Sequence, residues 1–294
     1  MLDLSHIPNS QQNIQIFYAI GGTIPFQTWN KPRKCSYVYI MCIGGAGGGA
    51  GGFNSISSVY APGGAGAGIS RALYNAQQLP DRLYVQVGLG GAGGGAGTAG
   101  QSGTRSWVSL QSVSPAVAQN MVLGSGAAAA GGGRVDGGNS GGETAIVQTS
   151  STFLTLSNFI GTAGNTSVGS VSVGTPPNIT PFTSQITSQG AGGGGGPSVN
   201  GGSILATSIS PLIEGGAFTT VNSAIGGRGA DGITSFKPFY SLGGAGGGNS
   251  SGTSGIGGNG GNGGIGCGGG GGGNGTTGGT GGRGGDGLVI IISF

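Results

Sequence analysis

The chain has 294 residues, of which 77 are glycine and 12 are proline, and its formal net charge is only +3. Its ten Lys or Arg and seven Asp or Glu residues are scattered, which excludes the clustered basic surface of a nucleic-acid-binding protein. The longest apolar runs, 37–43 and 288–292, are far shorter than the ~20 residues of a membrane-spanning helix, so we expect no membrane insertion.

The N-terminal sequence contains neither a basic segment nor an apolar core, so it predicts no signal peptide. The cysteines Cys35, Cys42 and Cys267 cannot all pair within one chain, and their spacing matches no zinc motif. We therefore expect them to act as small apolar fillers in a protein synthesised in a reducing cytosol.

Residues 1–35 predict an N-terminal arm followed by a hairpin. The first strand of this hairpin would span 13–20, the turn would be Gly21-Gly22, and the second strand would span 23–29. The next segment, 36–43, is apolar at nearly every position, which is typical of a central strand that is covered on both faces.

A junction of strand and glycine run then recurs along the chain. Ile43-Gly-Gly-Ala-Gly-Gly-Gly-Ala50 is matched at 89–96 and at 242–249, and a second junction is shared by 226–233 and 281–288. Such repeats indicate one supersecondary unit used several times. The remaining predicted strands are 67–74, 83–87, 106–110, 144–148 and 152–159. We predict a glycine-rich domain over 36–294, with a Ser/Thr-rich β insertion at about 111–223.

The C-terminal region has the most regular pattern in the chain. Glycine occupies every third position from Gly257 to Gly287, which suits polyproline II because that helix has three residues per turn. Collagen is excluded because 256–287 contains no proline. We expect short rods that fold back on each other with turns near Gly268–Gly273. The apolar end of the chain, 288–294, should then return as a strand to the sheet that holds 37–43.

Together these patterns predict an all-β protein with almost no helix. Its core would be a β-sandwich-like sheet structure, against which glycine-rich polyproline II segments pack side by side. With glycine facing each neighbour, backbones can approach closely and exchange N–H···O=C bonds. We expect polar residues at the free third position to face solvent and apolar ones to face the β core.

The sequence predicts no catalytic, cofactor-binding or metal site, and therefore no enzyme. Gly138-Asn-Ser-Gly-Gly142 resembles a nucleophile elbow, but it lies in a loop and far from the single histidine, His6. Asp136, Asp231 and Asp286 each follow an arginine in a glycine loop. They could form a calcium site, but the favoured interpretation is that each caps its own turn and pairs loosely with its arginine.

Two loops carry the aromatic residues that are candidates for ligand contact. Phe53 and Tyr60 belong to the loop 53–62, and Phe236, Phe239 and Tyr240 belong to the loop 236–240. Exposed aromatics suit contact with carbohydrate or protein. The alternative, which we favour, is that these side chains staple their loops to the body of the protein.

Four motifs in order resemble the glycine-rich domain of bacteriophage tail and fibre proteins and other viral structural proteins. They are Trp29-Asn-Lys-Pro32, the strand and glycine run at 37–49, Leu79-Pro-Asp-Arg-Leu-Tyr-Val-Gln-Val-Gly88 with its glycine run, and the terminal strand motif at 284–292. The resemblance covers 23–110 and 224–294. The expected architecture is also similar to the polyproline II bundles of tail-fibre tip adhesins.

The resemblance implies a virion structural protein, such as a tail fibre, spike, decoration or minor capsid component, made in the host cytoplasm. It further implies loops displayed on a rigid scaffold for host attachment. The expected partners are other virion proteins, a host surface glycan or protein, and further copies of the same chain, without nucleic acid.

Two alternative functions remain. One is an ice-binding protein, which is disfavoured by the mixed Asn, Ile, Arg and Asp at the free positions. The other is a bacterial surface or matrix protein.

Overall fold

The computed structural model describes residues 13–21, 26–54, 61–112, 121–125, 154–159, 194, 199–206, 210–237 and 239–294. Several predictions lie outside these residues: the strand at 144–148, Tyr60, Asp136, the segment 138–142 and most of the insertion at 111–223. Within the described residues, no helix is long and apolar enough to cross a bilayer.

The described residues form eleven strands and one short 3-10 helix at Ala76–Gln78. The strands are β1 Asn13–Tyr18, β2 Phe26–Asn30, β3 Tyr37–Ile43, β4 Ile69–Asn75, β5 Arg82–Gln86, β6 Trp107–Ser109, β7 Met121–Gly124, β8 Leu154–Phe159, β9 Thr234–Phe236, β10 Phe239–Ser241 and β11 Leu288–Ser293. The all-β prediction is confirmed.

The larger sheet has five antiparallel strands in the order β1-β11-β3-β4-β8. β3 lies at its centre, and β11 pairs with it in the register Leu288 to Ile43 and Ile292 to Tyr39. The predictions that 36–43 forms a central strand and that the end of the chain returns to its sheet are therefore confirmed. Apolar side chains on both faces explain this position, because only a strand covered on both sides can bury them all.

A second antiparallel sheet has the order β2-β5-β6-β7, and β9 with β10 forms a separate hairpin. The predicted N-terminal hairpin is not formed, although both of its strands exist. β1 pairs with β11 in the larger sheet, whereas β2 pairs with β5 in the smaller one. The physical reason is burial: Phe17 and Trp29 both enter the space between the sheets, and β1 and β2 reach it from opposite sides.

The two sheets pack as a sandwich around the main apolar core. The larger sheet contributes residues from β1, β11, β3 and β4, and the smaller sheet contributes residues from all four of its strands. The largest of the fully buried side chains in this core are Trp29, Tyr74, Ile40, Leu83, Leu123, Ile291 and Val38. Burying such side chains contributes roughly 1.5–3 kcal/mol each, so this core is a main source of the stability of the sandwich.

Side chains of β4 also bind the smaller sheet directly. The Tyr74 hydroxyl donates to the carbonyl of Val122 at 2.7 Å, and the Ser70 hydroxyl donates to the carbonyl of Gly124 at 2.7 Å. Both acceptors belong to β7, and both donors are buried. These bonds hold β7 against the larger sheet and keep its carbonyl groups satisfied inside the core.

The glycine runs form a bundle of extended passes that begins where the strands end. The passes that the structure describes most completely are 44–52, 61–68, 88–97, 98–106, 213–220, 224–233, 242–250, 255–264, 266–274 and 277–287. Each bonds to a given neighbour at every third residue, as expected for the three-residue turn of polyproline II. At about 3.1 Å per residue, a nine-residue pass such as 44–52 is about 28 Å long.

The pass 44–52 is buried along its whole length and shows how the bundle is bonded. Every one of its N–H groups donates to a backbone carbonyl, at N···O distances of 2.8–3.2 Å. Successive donors point in three directions, to 61–68, to 98–106 and to 277–287. Its carbonyls accept from two further passes, 88–97 and 266–274. Every buried N–H group of this pass is thus satisfied without any side chain.

Glycine is required here because the passes lie too close together for a Cβ atom. A Cβ built on Gly48 would overlap the carbonyl of Ala92, and one on Gly281 would overlap the carbonyl of Gly49. The overlapped atoms are backbone atoms of other passes, which cannot move aside without breaking the hydrogen bonds of the bundle. The sequence prediction of packed glycine rods is confirmed by this geometry.

The periodic segment 257–287 folds back on itself, but not where the sequence predicted. It forms three passes, with a turn at Ile265–Gly266 and a bend at Gly275–Thr276. Gly268–Gly273, the predicted turn region, lies inside the middle pass. Gly266 has the positive φ of 65° that the first turn requires, and a uniform glycine run does not mark which glycine will adopt it.

Candidate functional site

The bundle has two chemically different ends. At one end, called here the base, the passes join β3, β4, β5, β11 and the β9–β10 hairpin. At the opposite end, called the tip, the described residues connect passes to each other through turns at Gly95–Thr98, Val221–Ala224, Gly252–Gly255 and Gly275–Thr277. The tip is therefore the surface farthest along the passes from the sandwich.

Three of the tip turns share one backbone geometry. In each, the N–H of the fourth residue donates to the carbonyl of the first: Thr98 to Gly95 at 2.9 Å, Ala224 to Val221 at 3.2 Å, and Gly255 to Gly252 at 2.9 Å. The third residue has a positive φ in every case, namely Gly97 at 68°, Ser223 at 59° and Ser254 at 59°. Glycine adopts this conformation without penalty, whereas serine does so at a cost.

The two serine turns lie side by side and bond to each other. The N–H of Ser223 donates to the carbonyl of Thr253 at 2.9 Å, and the N–H of Thr253 donates to the Asn222 side chain at 3.0 Å. Asn222, Ser223, Thr253 and Ser254 are all exposed. The tip thus presents a row of hydroxyl and amide groups on a fixed backbone, and strained residues of this kind are concentrated at functional sites.

The start of the loop after pass 44–52 is also fixed at the tip. The N–H of Phe53 donates to the buried side chain of Asn274 at 2.8 Å, and the N–H of Gly278 donates to the side chain of Asn54 at 2.8 Å. Phe53 itself is half-buried. These bonds place Phe53 beside the Gly275–Thr277 turn, so one of the candidate aromatic residues does belong to the tip.

The other described candidates lie at the base. Phe239 is half-buried against the outer apolar face of the larger sheet, which includes Met41 and Ile290, and Tyr240 packs on a small cluster that contains Leu242. Phe236 is 43% exposed and touches Phe239, with 5.7 Å between their ring centroids. The structure therefore separates Phe53 from Phe236, Phe239 and Tyr240. Phe239 and Tyr240 pack against buried residues, as expected if these side chains staple their loop to the body of the protein.

One side of the bundle carries a regular array of side chains, called here the ladder face. It consists of the outward third residues of the passes 224–233, 255–264 and 277–287, which run parallel and in register. These residues are Ile225, Arg228, Asp231, Ile256, Asn259, Asn262, Thr277, Thr280, Arg283 and Asp286. The expectation that apolar residues would face the β core is wrong for Ile256, which is 40% exposed.

Side chains of the ladder face accept hydrogen bonds from the next pass. The N–H of Asn262 donates to Asp231 at 2.6 Å, and the N–H of Arg283 donates to the Asn262 side chain at 2.9 Å. The N–H of Thr280 likewise donates to Asn259 at 2.9 Å. The N–H groups of Asn262, Thr280 and Arg283 thus donate to side chains, and Asn and Asp supply these acceptors. This explains why the free position is so often polar.

Asp231 and Asp286 also accept an N–H from another pass, so only part of their predicted role is observed. Each pairs with the arginine three residues before it, as expected, with 2.5 Å between Arg228 and Asp231. However, each caps an N–H of a neighbouring pass instead of its own turn, Asp286 accepting from Gly90 at 2.8 Å. Among the described residues, no group of three or more His, Cys, Asp or Glu side chains could hold a metal ion.

Two titratable groups in the larger sheet are strongly affected by burial. The Cys42 thiol lies in the main core, and this burial raises its pKa. Burial also raises the pKa of Tyr39, an effect that the neighbouring Arg71 guanidinium partly offsets. Neither group is therefore activated as a nucleophile. Cys42 and Cys267 are buried, Cys35 is half-buried, and none of them forms a disulfide, which agrees with the prediction of apolar fillers.

The tip serines were missed by sequence reasoning. Ser223 and Ser254 lie in Ser/Thr/Asn-rich stretches that look like ordinary loops, and nothing in the sequence marks a positive φ at a residue that is not glycine. The only available signal is the spacing of the glycine runs around them, which locates the turns but not their geometry.

These features define a class of protein. It is an all-β scaffold in which a bundle of glycine-rich passes extends from a β-sandwich and ends in tight polar turns. The family model of the glycine-rich domain matches residues 19–293, and the chain belongs to that family. A search of curated proteins gives no match.

Proposed function

We propose that this chain is a virion structural protein whose bundle holds the tip turns away from the particle as an attachment surface. The observation that carries the proposal is the geometry of the tip. Three turns of the same type end passes of the bundle at a distance of about 28 Å from the strands, and two of them place serine in a conformation that glycine would adopt more easily. The resemblance to viral glycine-rich domains supports the same interpretation.

The bundle suits the role of a rigid spacer. Each interior pass is bonded to neighbours in several directions, as 44–52 is, so bending one pass would break hydrogen bonds to the others. Because the interior contains almost no side chains, there are few rotamers through which it could rearrange. Turns at the end of such a bundle are held in fixed positions, and pre-organised loops bind with a smaller entropic cost.

The chemistry of the tip favours a neutral polar ligand. Its exposed groups are hydroxyls and amides from Asn222, Ser223, Thr253, Ser254 and Thr276, beside the exposed apolar side chain of Val221. Such a surface can exchange hydrogen bonds with sugar hydroxyls while an apolar side chain covers a sugar face. We therefore propose a host surface glycan, or a glycosylated protein, as the partner at the tip, and other virion proteins as partners of the sandwich.

The alternative of ice binding would require a regular face, and the ladder face is one because its three passes are in register. That face also carries the ion pairs Arg228–Asp231 and Arg283–Asp286 among its regularly spaced residues. Ionic groups hold water in their own hydration geometry, which opposes an ordered match to a crystal lattice. The ladder face therefore favours a structural role over ice binding.

The location of the protein is tested by gold-labelled antibodies raised against the purified chain. Particles from cultures that produce the protein should be labelled at a defined position, such as a vertex, a tail tip or the capsid lattice. A protein that occurs only as a free soluble species, with no labelled particle, would overturn the virion proposal.

The attachment surface is tested by a matched pair of variants. Thr253→Trp places a bulky side chain at the tip, whereas Thr280→Trp places the same side chain on the ladder face. Attachment of the purified protein to susceptible cells, and binding to a glycan array, should fall about tenfold or more for the tip variant alone. Equal binding of both variants would contradict a binding role for the tip while leaving the virion location open.

A further inference from the structure

β1 is the outermost strand at one end of the larger sheet. It pairs with β11 on one side, and no strand of the described residues pairs with its other side. An edge strand exposes a row of N–H and C=O groups that can accept another strand. At the end of β1, the carbonyl of Tyr18 accepts the side-chain amide of Gln27 at 2.7 Å, and its second lone pair can accept from another strand.

Side chains of β1 continue the outer apolar face of the larger sheet as far as its edge. Ile14, Ile16 and Tyr18 lie opposite Ile292, Ile290 and Leu288 of β11. The β11 residues are at most 2% exposed, whereas Ile14, Ile16 and Tyr18 are 44%, 40% and 51% exposed. On the opposite side of β1, Phe17 enters the main core. The strand is thus anchored by one face while its other face remains open.

The edge lacks the features that normally prevent pairing. Natural edge strands are protected by charged side chains, especially lysine, by proline or by bulges. Residues 9–30 contain no Lys, Arg, Asp, Glu or His, and β1 itself contains no proline. Two identical edges can therefore meet without repulsion between like charges, which would otherwise disfavour a symmetric contact.

We propose that two copies of the chain associate through β1, antiparallel and with a two-fold axis at Ile16. In this register Ile16 faces Ile16 of the second copy, and Ile14 faces Tyr18. Both are apolar pairs, and pairing of an aromatic with a β-branched residue is among those that stabilise sheets. A second copy fits better than an unrelated strand because one register matches every exposed apolar residue of β1 to another. The dimer does not depend on the proposed attachment function.

The association is measured by sedimentation equilibrium of the full chain over a range of concentrations. The unmodified protein should change reversibly from one to two chain masses. Ile16→Lys places two like charges opposite each other and should weaken association about tenfold or more. The matched control is Ile225→Lys, on the ladder face, where the isoleucine is 66% exposed and the same change should leave association unaltered.

The register is tested by disulfide formation between paired positions, with Cys35→Ser in every protein to remove the partly exposed native thiol. Directly opposed Cα atoms in antiparallel strands are ~4.5–5.5 Å apart, within the range of a disulfide. Ile16→Cys should cross-link to itself, and a mixture of Ile14→Cys with Tyr18→Cys should cross-link more than either protein alone.

Three results would overturn the proposal. The first is a protein that stays monomeric at its highest soluble concentration. The second is equal weakening of association by Ile16→Lys and Ile225→Lys. The third is a monomer that dimerises only after residues 1–12 are deleted, because the edge would then be covered by the chain itself.

Discussion

The sandwich and the bundle are stabilised in different ways. In the sandwich, each strand bonds to at most two neighbours and the sheets are separated by side chains, so burial of Trp29, Tyr74 and Ile40 supplies much of the stability. In the bundle, a pass such as 44–52 bonds to several neighbours and contributes almost no side chain. Its stability comes from backbone hydrogen bonds and close backbone packing, worth a net ~0.5–1.5 kcal/mol per bond.

This difference changes what a residue must be in each region. In the sandwich, a residue must be apolar and of suitable volume, and similar residues can replace one another. In the bundle, it must lack a Cβ wherever another backbone passes, and no other residue is equivalent. A single rule based on hydrophobicity therefore describes the sandwich well and the bundle hardly at all.

The largest expected loss of stability comes from creating a cavity in the core of the sandwich. Trp29→Ala should lower the free energy of unfolding by about 3–5 kcal/mol, because Trp29 is fully buried. Trp29→Phe is the control: it keeps most of the ring and removes an indole N–H that has no hydrogen-bond partner among the described residues. It should cost less than about 1.5 kcal/mol in urea denaturation. Similar losses for both would show that the ring volume is not what stabilises the core.

Adding a methyl group to a packed glycine of the bundle should cause the next largest loss of stability. Gly48→Ala should destabilise by about 3 kcal/mol, at the upper end for overpacking, because its Cβ would overlap the backbone of pass 88–97. Gly95→Ala is matched to it, since the nearest atom to that Cβ is the Thr98 hydroxyl oxygen at 3.7 Å. Its melting temperature should stay close to that of the unmodified protein. If both variants melt alike, close backbone packing does not explain the glycine content.

Alkaline pH should destabilise the sandwich through Cys42. Burial raises the pKa of this thiol above that of the unfolded chain, so its contribution is complete below about pH 8.5 and is lost as the pH rises. Unfolding free energy should fall by about 2 kcal/mol between pH 7 and pH 10. Cys42→Ala should flatten this slope, whatever its own effect at pH 7. An unchanged slope would assign the loss to other groups, such as Tyr39.

The ladder face should show a smaller effect. Asn262→Ala removes the acceptor for the N–H of Arg283 and should cost about 1 kcal/mol. Thr280→Ala, on the same pass as Arg283, removes an exposed side chain and should change stability by less than about 0.5 kcal/mol. Chemical denaturation of the two variants measures the difference. Equal values would indicate that water satisfies these N–H groups as well as Asn does.

The smallest effect, and one of opposite sign, is expected at the tip. Ser254→Gly relieves a positive φ and should raise the free energy of unfolding by up to about 1 kcal/mol. Ser254→Ala keeps the strained conformation and should leave stability nearly unchanged. Under the proposed function, both should weaken attachment, because both remove the hydroxyl. A glycine variant that is no more stable than the alanine variant would show that the turn is not strained.

Much of the fold was predictable because its signals are local. The apolar run at 36–43 indicated a central strand, and the glycine period indicated packed polyproline II segments; both are confirmed. The predicted hairpin of β1 and β2 is wrong because strand partners depend on which sheet buries Phe17 and Trp29, not on the short turn between them. The candidate site was predictable only in part: Phe53 lies at the tip, but Phe236, Phe239 and Tyr240 lie at the base.

The sequence by itself determined the two kinds of backbone in this protein. Residues without a side chain at period three can pack backbone to backbone, and β-branched apolar runs form covered strands, whatever their partners. Only the tertiary structure decided which passes are neighbours, which glycines become turns, and which serines are held at positive φ. Those choices depend on contacts between segments that are far apart in the chain, such as Asn54 and Gly278, which are 224 residues apart. They also depend on hydrogen bonds that a uniform glycine run can form in many equivalent registers.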